Sequence, residues 1–484
     1  MEKRSKFMFY MFVVVFLLLL FVILKIIIFD KASFMSAATN QHLQKDSVKL
    51  FRGMIYDKNL IPLVDSRGYV LKYKNEVKYS ITKRYDEKSR AKHIIGYVNA
   101  ENKGVSGIEK MYNNLLETTG NFEICNINNV HNLSVASLPK TLKENDYLSN
   151  GIKLTLDYHI QKITEDIFDK NNAEGAAVVL DVETFDILCM VSKPDFDQSN
   201  IEKHINSDGS ELVNRALSAY NAGSIFKIIT SAAAIENNIA QYDDLFFCPG
   251  LRKIDGHIFN CNNKEGHKFI TFGDAFAASC NVCFYDLGVI LTNEKLYDMA
   301  KKFSLGKKIL DFEGEAEGSI EMGAFDADMA NTGIGQGKIL ITPLQAAKMA
   351  AIIATGGFEK NINLVSHIVD KMGNEVRSMR YDDEKKVIST FCADQIKKMM
   401  KNTVDYGTGS AAYDENLNIC GKTGSAETGW EKNGSLMVHG WFVGFFPYEN
   451  PKYAMSIFLE NGQSGKKAAK IFLEIAKEIE RYKL

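Results

Sequence analysis

Apolar residues run without a break from Phe7 to Leu24 and, after Lys25, resume through Phe29. A helix over residues 7–29 would extend about 35 Å, enough to cross a hydrocarbon layer about 30 Å thick. Lys25 lies near one end, where its stem can carry the ammonium to the interface. Lys3, Arg4 and Lys6 precede the run, which places residues 1–6 in the cytoplasm and everything after Asp30 outside. A cleaved signal peptide with a cut near Ser36 and Ala38 is the alternative, although its apolar region would be unusually long.

Beyond this segment the pattern is globular. Residues 51–57 read as a short strand in which Gly53 allows an unusual backbone angle, and residues 107–116 carry apolar positions at helical spacing. Residues 31 to about 150 form a mixed accessory module. A second regime starts near Leu154, with a helix from Ile160 onward and two apolar strands over 176–180 and 187–191 that suit an edge hairpin. Residues 215–357 are rich in small residues and predict helices and loops. Strands follow over 420–426, 441–446 and 453–460. The last helix, 466–481, has Ala469, Ile471, Phe472, Ile475 and Ile479 on one stripe. Strands at both ends with a helical middle predict an α+β fold: one sheet built from sequence-distant strands, helices beside it and a cleft between sheet and helical portion.

Length and charge remove some function classes. The 484 residues allow about three average domains, or one large enzyme core with an accessory region. The 58 basic and 60 acidic side chains are interspersed except at the extreme N-terminus. A nucleic-acid partner is therefore not expected.

Three short motifs carry candidate chemistry. In Ser224-Ile225-Phe226-Lys227, the i to i+3 spacing sets a hydroxyl and an amine on one helical face, with Gly223 giving a tight entry. A neutral lysine can take the serine proton, provided that burial or neighbouring cations favour its uncharged form. Alone, the motif is matched equally by a helix cap with a solvated lysine. Ser279-Cys280-Asn281 can point a hydroxyl and an amide into a cleft, though alone it reads as ordinary loop chemistry. Lys422-Thr423-Gly424-Ser425 opens a strand with a charge, a hydroxyl and a glycine that lets a substrate backbone come close.

Together and in this order the three motifs are the serine penicillin-recognising signature. The chain resembles the class B penicillin-binding proteins, monofunctional transpeptidases of cell-wall synthesis, over essentially its whole length. Further matches are Arg52-Gly53-Met54-Ile55-Tyr56-Asp57-Lys58-Asn59, Gly107-Ile108-Glu109, residues 333–337, Thr342-Pro343-Leu344-Gln345, Gly407-Thr408-Gly409 and His439-Gly440-Trp441-Phe442. Two departures stand out. Leu60 replaces a usual glycine, and Asn221-Ala222 replaces the proline-containing pair before Gly223, which removes rigidity beside the nucleophile.

The resemblance implies a cytoplasmic tail (1–6), an anchor (7–29), a pedestal or dimerisation-like domain (30–152) and a penicillin-binding transpeptidase domain (153–484). That last domain is an antiparallel sheet flanked by helices with a helical subdomain. No sugar-polymerising domain is expected. The resemblance further implies that Ser224 attacks the penultimate D-Ala carbonyl of a stem peptide while Lys227 takes its proton. Ser279 would relay a proton to the leaving nitrogen, and Asn281 would hold the substrate amide and orient Lys227. Lys422 and Thr423 would bind the terminal carboxylate beside Gly424. The N–H groups of Ser224 and Ser425 would form the oxyanion hole. Expected partners are peptidoglycan stem peptides on lipid-linked nascent glycan and a membrane glycan polymerase of the shape, elongation, division and sporulation family, with no cofactor. The expected setting is the cell membrane of a Gram-positive-type bacterium. A D,D-carboxypeptidase, a β-lactam-hydrolysing or -sensing relative and a noncatalytic scaffold are the competing readings.

The remaining polar residues suggest little. Cys248, Cys261, Cys280 and Cys283 have irregular spacing and, with His257, His267 and His439, make no short ligand motif, so no metal is expected. A Cys261–Cys280 disulfide would act on the segment holding Ser279 and Asn281. A Cys248–Cys261 bridge or buried free thiols are the alternatives. Glu427 suits a solvated strand end or a contact to a substrate amine. The glycines of 333–337 lack a phosphate-loop ending and read as turns shaping the cleft.

Overall fold

The computed structural model describes residues 2–28, 43–48, 52–64, 68–73, 76–81, 84–85, 89–117, 122–127, 141–144 and 150–482, other than 206, 208, 322, 371, 372, 433 and 434. Two compact units interleave along the chain. One comprises Met1–Arg52, Ser66–Thr82 and Thr118–Ser149, the other Gly53–Asp65, Lys83–Glu117 and Asn150–Leu484. In the first unit Glu2–Ile28 is a continuous helix with every residue exposed. Among the described residues it is the single helix long and apolar enough to cross a membrane; Phe29 lies outside them. The same unit contains an antiparallel sheet of Leu43–Val48, Phe122–Ile127 and Thr141–Glu144, and a hairpin of Gly68–Tyr73 with Glu76–Ile81.

The second unit is organised by a five-stranded antiparallel sheet in the order Ile187–Lys193, Gly175–Asp181, Tyr453–Leu459, Ser435–Phe446 and Cys420–Lys432. The pair expected as an edge hairpin forms as such, with Ile187–Lys193 outermost. Alternate side chains serve two cores. Ala177, Val179, Phe442 and Ile457 pack with helices Tyr158–Lys170 and Gly465–Tyr482, through Phe168, Ile471, Phe472 and Ile475. Ala176, Val178, Trp441 and Phe458 join the opposite core, which includes Leu344, Ala347 and Ala351 of helix Pro343–Ala354. That helix starts in a capping box, Thr342 with Gln345, and is buried from end to end. Cover on both faces explains why Gly175–Asp181 and Tyr453–Leu459 read as continuous apolar runs instead of alternating ones.

Residues 53–65 and 83–117 fold with this unit. Ile55–Tyr56, the part of the expected 51–57 strand that forms, pairs in parallel with Gly151–Leu154. The expected 107–116 helix is two short turns, Gly107–Met111 and Asn113–Leu116, parted at Tyr112. Glu109, fully buried, accepts hydrogen bonds from Arg84 and from the Tyr85 hydroxyl. At Leu60 the backbone is left-handed (φ 62°) in a turn closed on the Asp57 carboxylate by the N–H groups of Asn59 and Ile61. This conformation accounts for glycine being the usual residue there.

Between Leu245 and Thr271 lies an arrangement that the hydrophobic pattern did not suggest. Two antiparallel ribbons, Leu245–Cys248 with Lys268–Thr271 and Leu251–Ile254 with His257–Asn260, project from the helical portion.

Candidate active site

Ser224 sits half-buried in a 3₁₀ turn, Gly223–Phe226, that leads into helix Lys227–Glu236. Gly223 has φ 54°, and a Cβ there would lie 2.7 Å from Ser425 O, so only glycine lets this turn approach the Cys420–Lys432 strand so closely. The Gly223 N–H donates to Gly335 O at 2.9 Å, which gives the glycine turn of 333–337 its place against the Ser224 turn. Asn221-Ala222 is held without proline. Tyr220–Asn221 pairs with Ile339–Ile341, the Ala222 N–H donates to Ile339 O at 3.2 Å, and Trp441 Nε1 donates to Asn221 O at 3.0 Å. A proline at 222 could not donate the bond to Ile339 O. The expected loss of rigidity is therefore offset by a ladder and two hydrogen bonds.

Lys227 is fully buried and donates to Ser279 O (2.8 Å), Ser279 Oγ (3.1 Å) and Asn281 Oδ1 (2.8 Å). Lys422, also fully buried, donates to the same Ser279 Oγ at 3.0 Å and to Thr423 O at 3.1 Å. One hydroxyl thus lies between two amines. Phe284 lies 5.2 Å from Lys227 Nζ and Phe276 5.5 Å from Lys422 Nζ, which keeps water from the pair. Burial lowers Lys227 to about 8. It drives Lys422 well below the usual lysine range, with the neighbouring Lys227 charge acting in the same direction. Two ammonium groups sharing one dry hydroxyl repel each other, so the site favours one neutral amine near neutral pH. Ser279 itself has φ 53°, a left-handed conformation that turns the chain into helix Asn281–Lys302.

The Cys420–Lys432 strand supplies the opposite wall. Gly424 is packed so that a Cβ would lie 3.0 Å from Ile225 and 3.1 Å from Trp441. Ser425 and Glu427 are exposed, whereas Thr423 is buried with its hydroxyl 2.7 Å from Thr408 Oγ1. Thr408 also bonds Ala277 O through its N–H (3.1 Å) and its hydroxyl (3.3 Å). It therefore ties the lysine strand to the segment that carries Ser279. Sequence reasoning noted Gly407-Thr408-Gly409 but gave Thr408 no part in the site, because its partners, a strand residue and the last residue of helix Phe272–Ala277, are distant in sequence.

The cysteines require a correction. Their irregular spacing conceals a cluster: ligand atoms of Cys248, Cys261, His267 and Cys280 lie within 4.8 Å of one another. Cys261 and Cys280 are free thiols, with sulfur atoms 3.8 Å apart against about 2.0 Å for a disulfide. Their shared hydrogen bond favours the thiolate at Cys261 and the thiol at Cys280. Neither Cys283 nor His257 nor His439 belongs to this group; His439 packs edge-on against Tyr220 and Phe458.

The family model described as the penicillin binding protein transpeptidase domain matches residues 175–477. Stage V sporulation protein D of Bacillus subtilis is 29% identical over 76% of this chain and 58% of its own length. The chain spans about three fifths of the curated relatives that it matches. Among solved structures, the D,D-transpeptidase domain of a peptidoglycan glycosyltransferase from Eggerthella lenta superposes with a TM-score of 0.72 at 26% identity, covering 90% of this chain and 99% of that one. Penicillin-binding protein PBP2 of Helicobacter pylori, in a complex with MreC, superposes with a TM-score of 0.71 at 22% identity, covering 91% and 99%.

Proposed function

Because the chain belongs to the penicillin-binding protein transpeptidase family, we propose that it is a class B enzyme that cross-links peptidoglycan stem peptides through an acyl-enzyme on Ser224. The observation that carries this reading is the Ser279 hydroxyl held by both Lys227 and Lys422. Neutral Lys227 takes the Ser224 proton as Oγ attacks the penultimate D-Ala carbonyl. The N–H groups of Ser224 and Ser425 hold the developing oxyanion. Collapse breaks the amide bond, and the leaving D-Ala nitrogen receives its proton through Ser279. An amine of a second stem then attacks the ester, re-forms an amide and returns the proton to Ser224.

Asn281 fixes Lys227 through its amide oxygen. Substrate carboxylate binding falls to the Thr423 hydroxyl. On substrate binding the Thr408 proton turns from Ala277 O to Thr423, which frees the Thr423 O–H to donate. Lys422 adds positive charge from behind Ser279.

Residues 1–6 serve as a cytoplasmic tail, 7–29 as an anchor and 30–152 as a pedestal, with 53–65 and 83–117 as its portion rooted in the catalytic unit. The enzyme acts outside the membrane beside a glycan polymerase. The complex of Helicobacter pylori PBP2 with MreC supports an assembly partner for an enzyme of this fold.

Fluorescent penicillin tests the reading. One adduct per chain at Ser224, absent in Ser224→Ala with the fold retained, is expected, together with D-Ala release from a pentapeptide that depends on an acceptor amine. D-Ala release to water alone would make it a carboxypeptidase, rapid penicillin turnover a β-lactamase, and no adduct on the folded wild type a scaffold.

A further inference from the structure

Thr423, Ser425 and Glu427 are spaced two apart on the Cys420–Lys432 strand and so share one of its faces, with Lys422, Gly424 and Ala426 on the other. The strand is the outermost of its sheet. Ser425 O lies beside the Gly223 turn, so the backbone of Ser425 faces the nucleophile and not the neighbouring strand. Glu427, two residues on and paired with Val438 as Ser425 is with Gly440, has the same orientation.

The Glu427 side chain is exposed, and among the described residues no cation or hydrogen-bond donor meets its carboxylate. Its charge reaches across the cleft. Burial pushes the Tyr285 phenol up to about 12, and the Glu427 carboxylate adds to that rise. Tyr285 stands on the helix that Asn281 opens; its hydroxyl donates to Asn260 O at 3.2 Å, and the Asn281 side-chain amide donates to the same oxygen at 3.5 Å. Glu427 and Asn281 therefore front one opening from opposite sides.

The transpeptidase reading fixes how a stem peptide lies there. Its terminal carboxylate is at Thr423 and its scissile carbonyl at the Ser425 N–H, so an extended stem added to this outer edge runs antiparallel to the strand and leads away toward Glu427. Glu427 stands about 7 Å beyond Ser425 at about 3.4 Å per residue. That is within reach of a long side chain on the stem residue that precedes the penultimate D-Ala. It is too far for the attacking amine, which must come within about 3.5 Å of the ester carbon.

We propose that Glu427 is a specificity-determining residue for the donor stem, receiving an ammonium on the side chain of the residue before the penultimate D-Ala. The inference rests on the transpeptidase reading. An unpaired carboxylate at the cleft mouth takes a primary ammonium through charge-assisted hydrogen bonds and repels a carboxylate in the same place. No bond or proton changes hands at Glu427.

The test compares benzylpenicillin with ampicillin, which adds one ammonium to the acylamino side chain, the part of the drug that stands where the preceding stem residue stands. Acylation rates of Ser224 are measured on the full chain in detergent. The ratio of the ampicillin rate to the benzylpenicillin rate should fall about twofold to fivefold in Glu427→Gln, as for an exposed ion pair. It should fall further in Glu427→Lys, where the charge is reversed. Glu415→Gln, at an exposed glutamate outside the cleft, should keep the wild-type ratio. Added salt should bring the wild-type ratio toward that of Glu427→Gln. A pentapeptide with lysine before the penultimate D-Ala, set against its Nε-acetyl form with one acceptor amine in excess, should show the same fall in the ratio of kcat/KM values. Unchanged ratios in both Glu427 variants would overturn the proposal and leave Glu427 a solvated strand end. So would a loss confined to transfer onto an ammonium-bearing acceptor. Failure of benzylpenicillin to label the folded wild type is failure of the transpeptidase reading, whereas normal labelling with an unchanged ratio is failure of this inference alone.

Discussion

Every residue of strand Tyr453–Leu459 is buried between helices, whereas in the ribbons from Leu245 to Thr271 only Cys248 is. Both regions converge on one cleft. The sheet positions Lys422 and Thr423 through two packed cores, so its precision follows from area removed from water. The ribbons sit beside Ser279 and Asn281 on one half-buried apolar side chain per strand, Phe246, Ile254, Phe259 and Ile270, while their other faces meet solvent. A wall packed on both faces and one packed on a single face should therefore fail in different ways.

The largest expected effect tests the chemistry where the two walls meet, at Lys227 bonded to Ser279 and Asn281. Lys227→Met should lower the penicillin acylation rate by about 10² to 10⁴-fold, the usual contribution of a general base. With Lys227 at about 8, wild-type acylation should rise as pH rises through 8, because the neutral amine is the active form. Folding has the matching sign. A lysine lowered on folding contributes stability that is present above its unfolded value and lost as pH falls through about 8. A flat acylation profile between pH 6 and 9 would remove Lys227 as the base.

Next comes a direct contrast in stability. Phe472→Ala, which empties a fully buried place under the sheet, should cost about 3–5 kcal/mol. Phe269→Ala, at an exposed ribbon position, should change stability by about 0.5 kcal/mol or less. Equal losses in denaturant melts would mean that the ribbons are packed after all. Between the two walls stands Thr408. Thr408→Val keeps the shape but removes the hydroxyl, and should slow acylation about threefold to tenfold, one hydrogen bond's worth. Thr408→Ser should restore most of the rate. Smallest is Leu60→Gly, which relieves a left-handed leucine and should raise the unfolding free energy by about 1 kcal/mol without changing acylation.

How much of this was legible differs by region. The strands over 176–180, 187–191, 441–446 and 453–460 and the helix over 466–481 were all visible, because long apolar or amphipathic runs persist through local context. The three candidate motifs were visible because each is short and self-contained. The ribbons were missed because their side chains alternate weakly and face solvent. The helix expected over 107–116 broke at Tyr112, where Gly104 N–H bonds the Asn113 side chain and Glu109 turns inward to Arg84 and Tyr85.

The sequence alone determined the sheet strands, the amphipathic final helix, the apolar N-terminal run and the candidate motif around Ser224, because period and motif are local properties of the chain. Only the tertiary structure decided which lysines share Ser279, that Thr408 joins the Cys420–Lys432 strand to the end of helix Phe272–Ala277, and that four residues of irregular spacing converge within 4.8 Å. Each of these is a meeting of residues distant in sequence. The physical reason is that apolar burial fixes where chain segments cross, and a side chain's partners and charge state follow from that crossing and not from its neighbours along the chain.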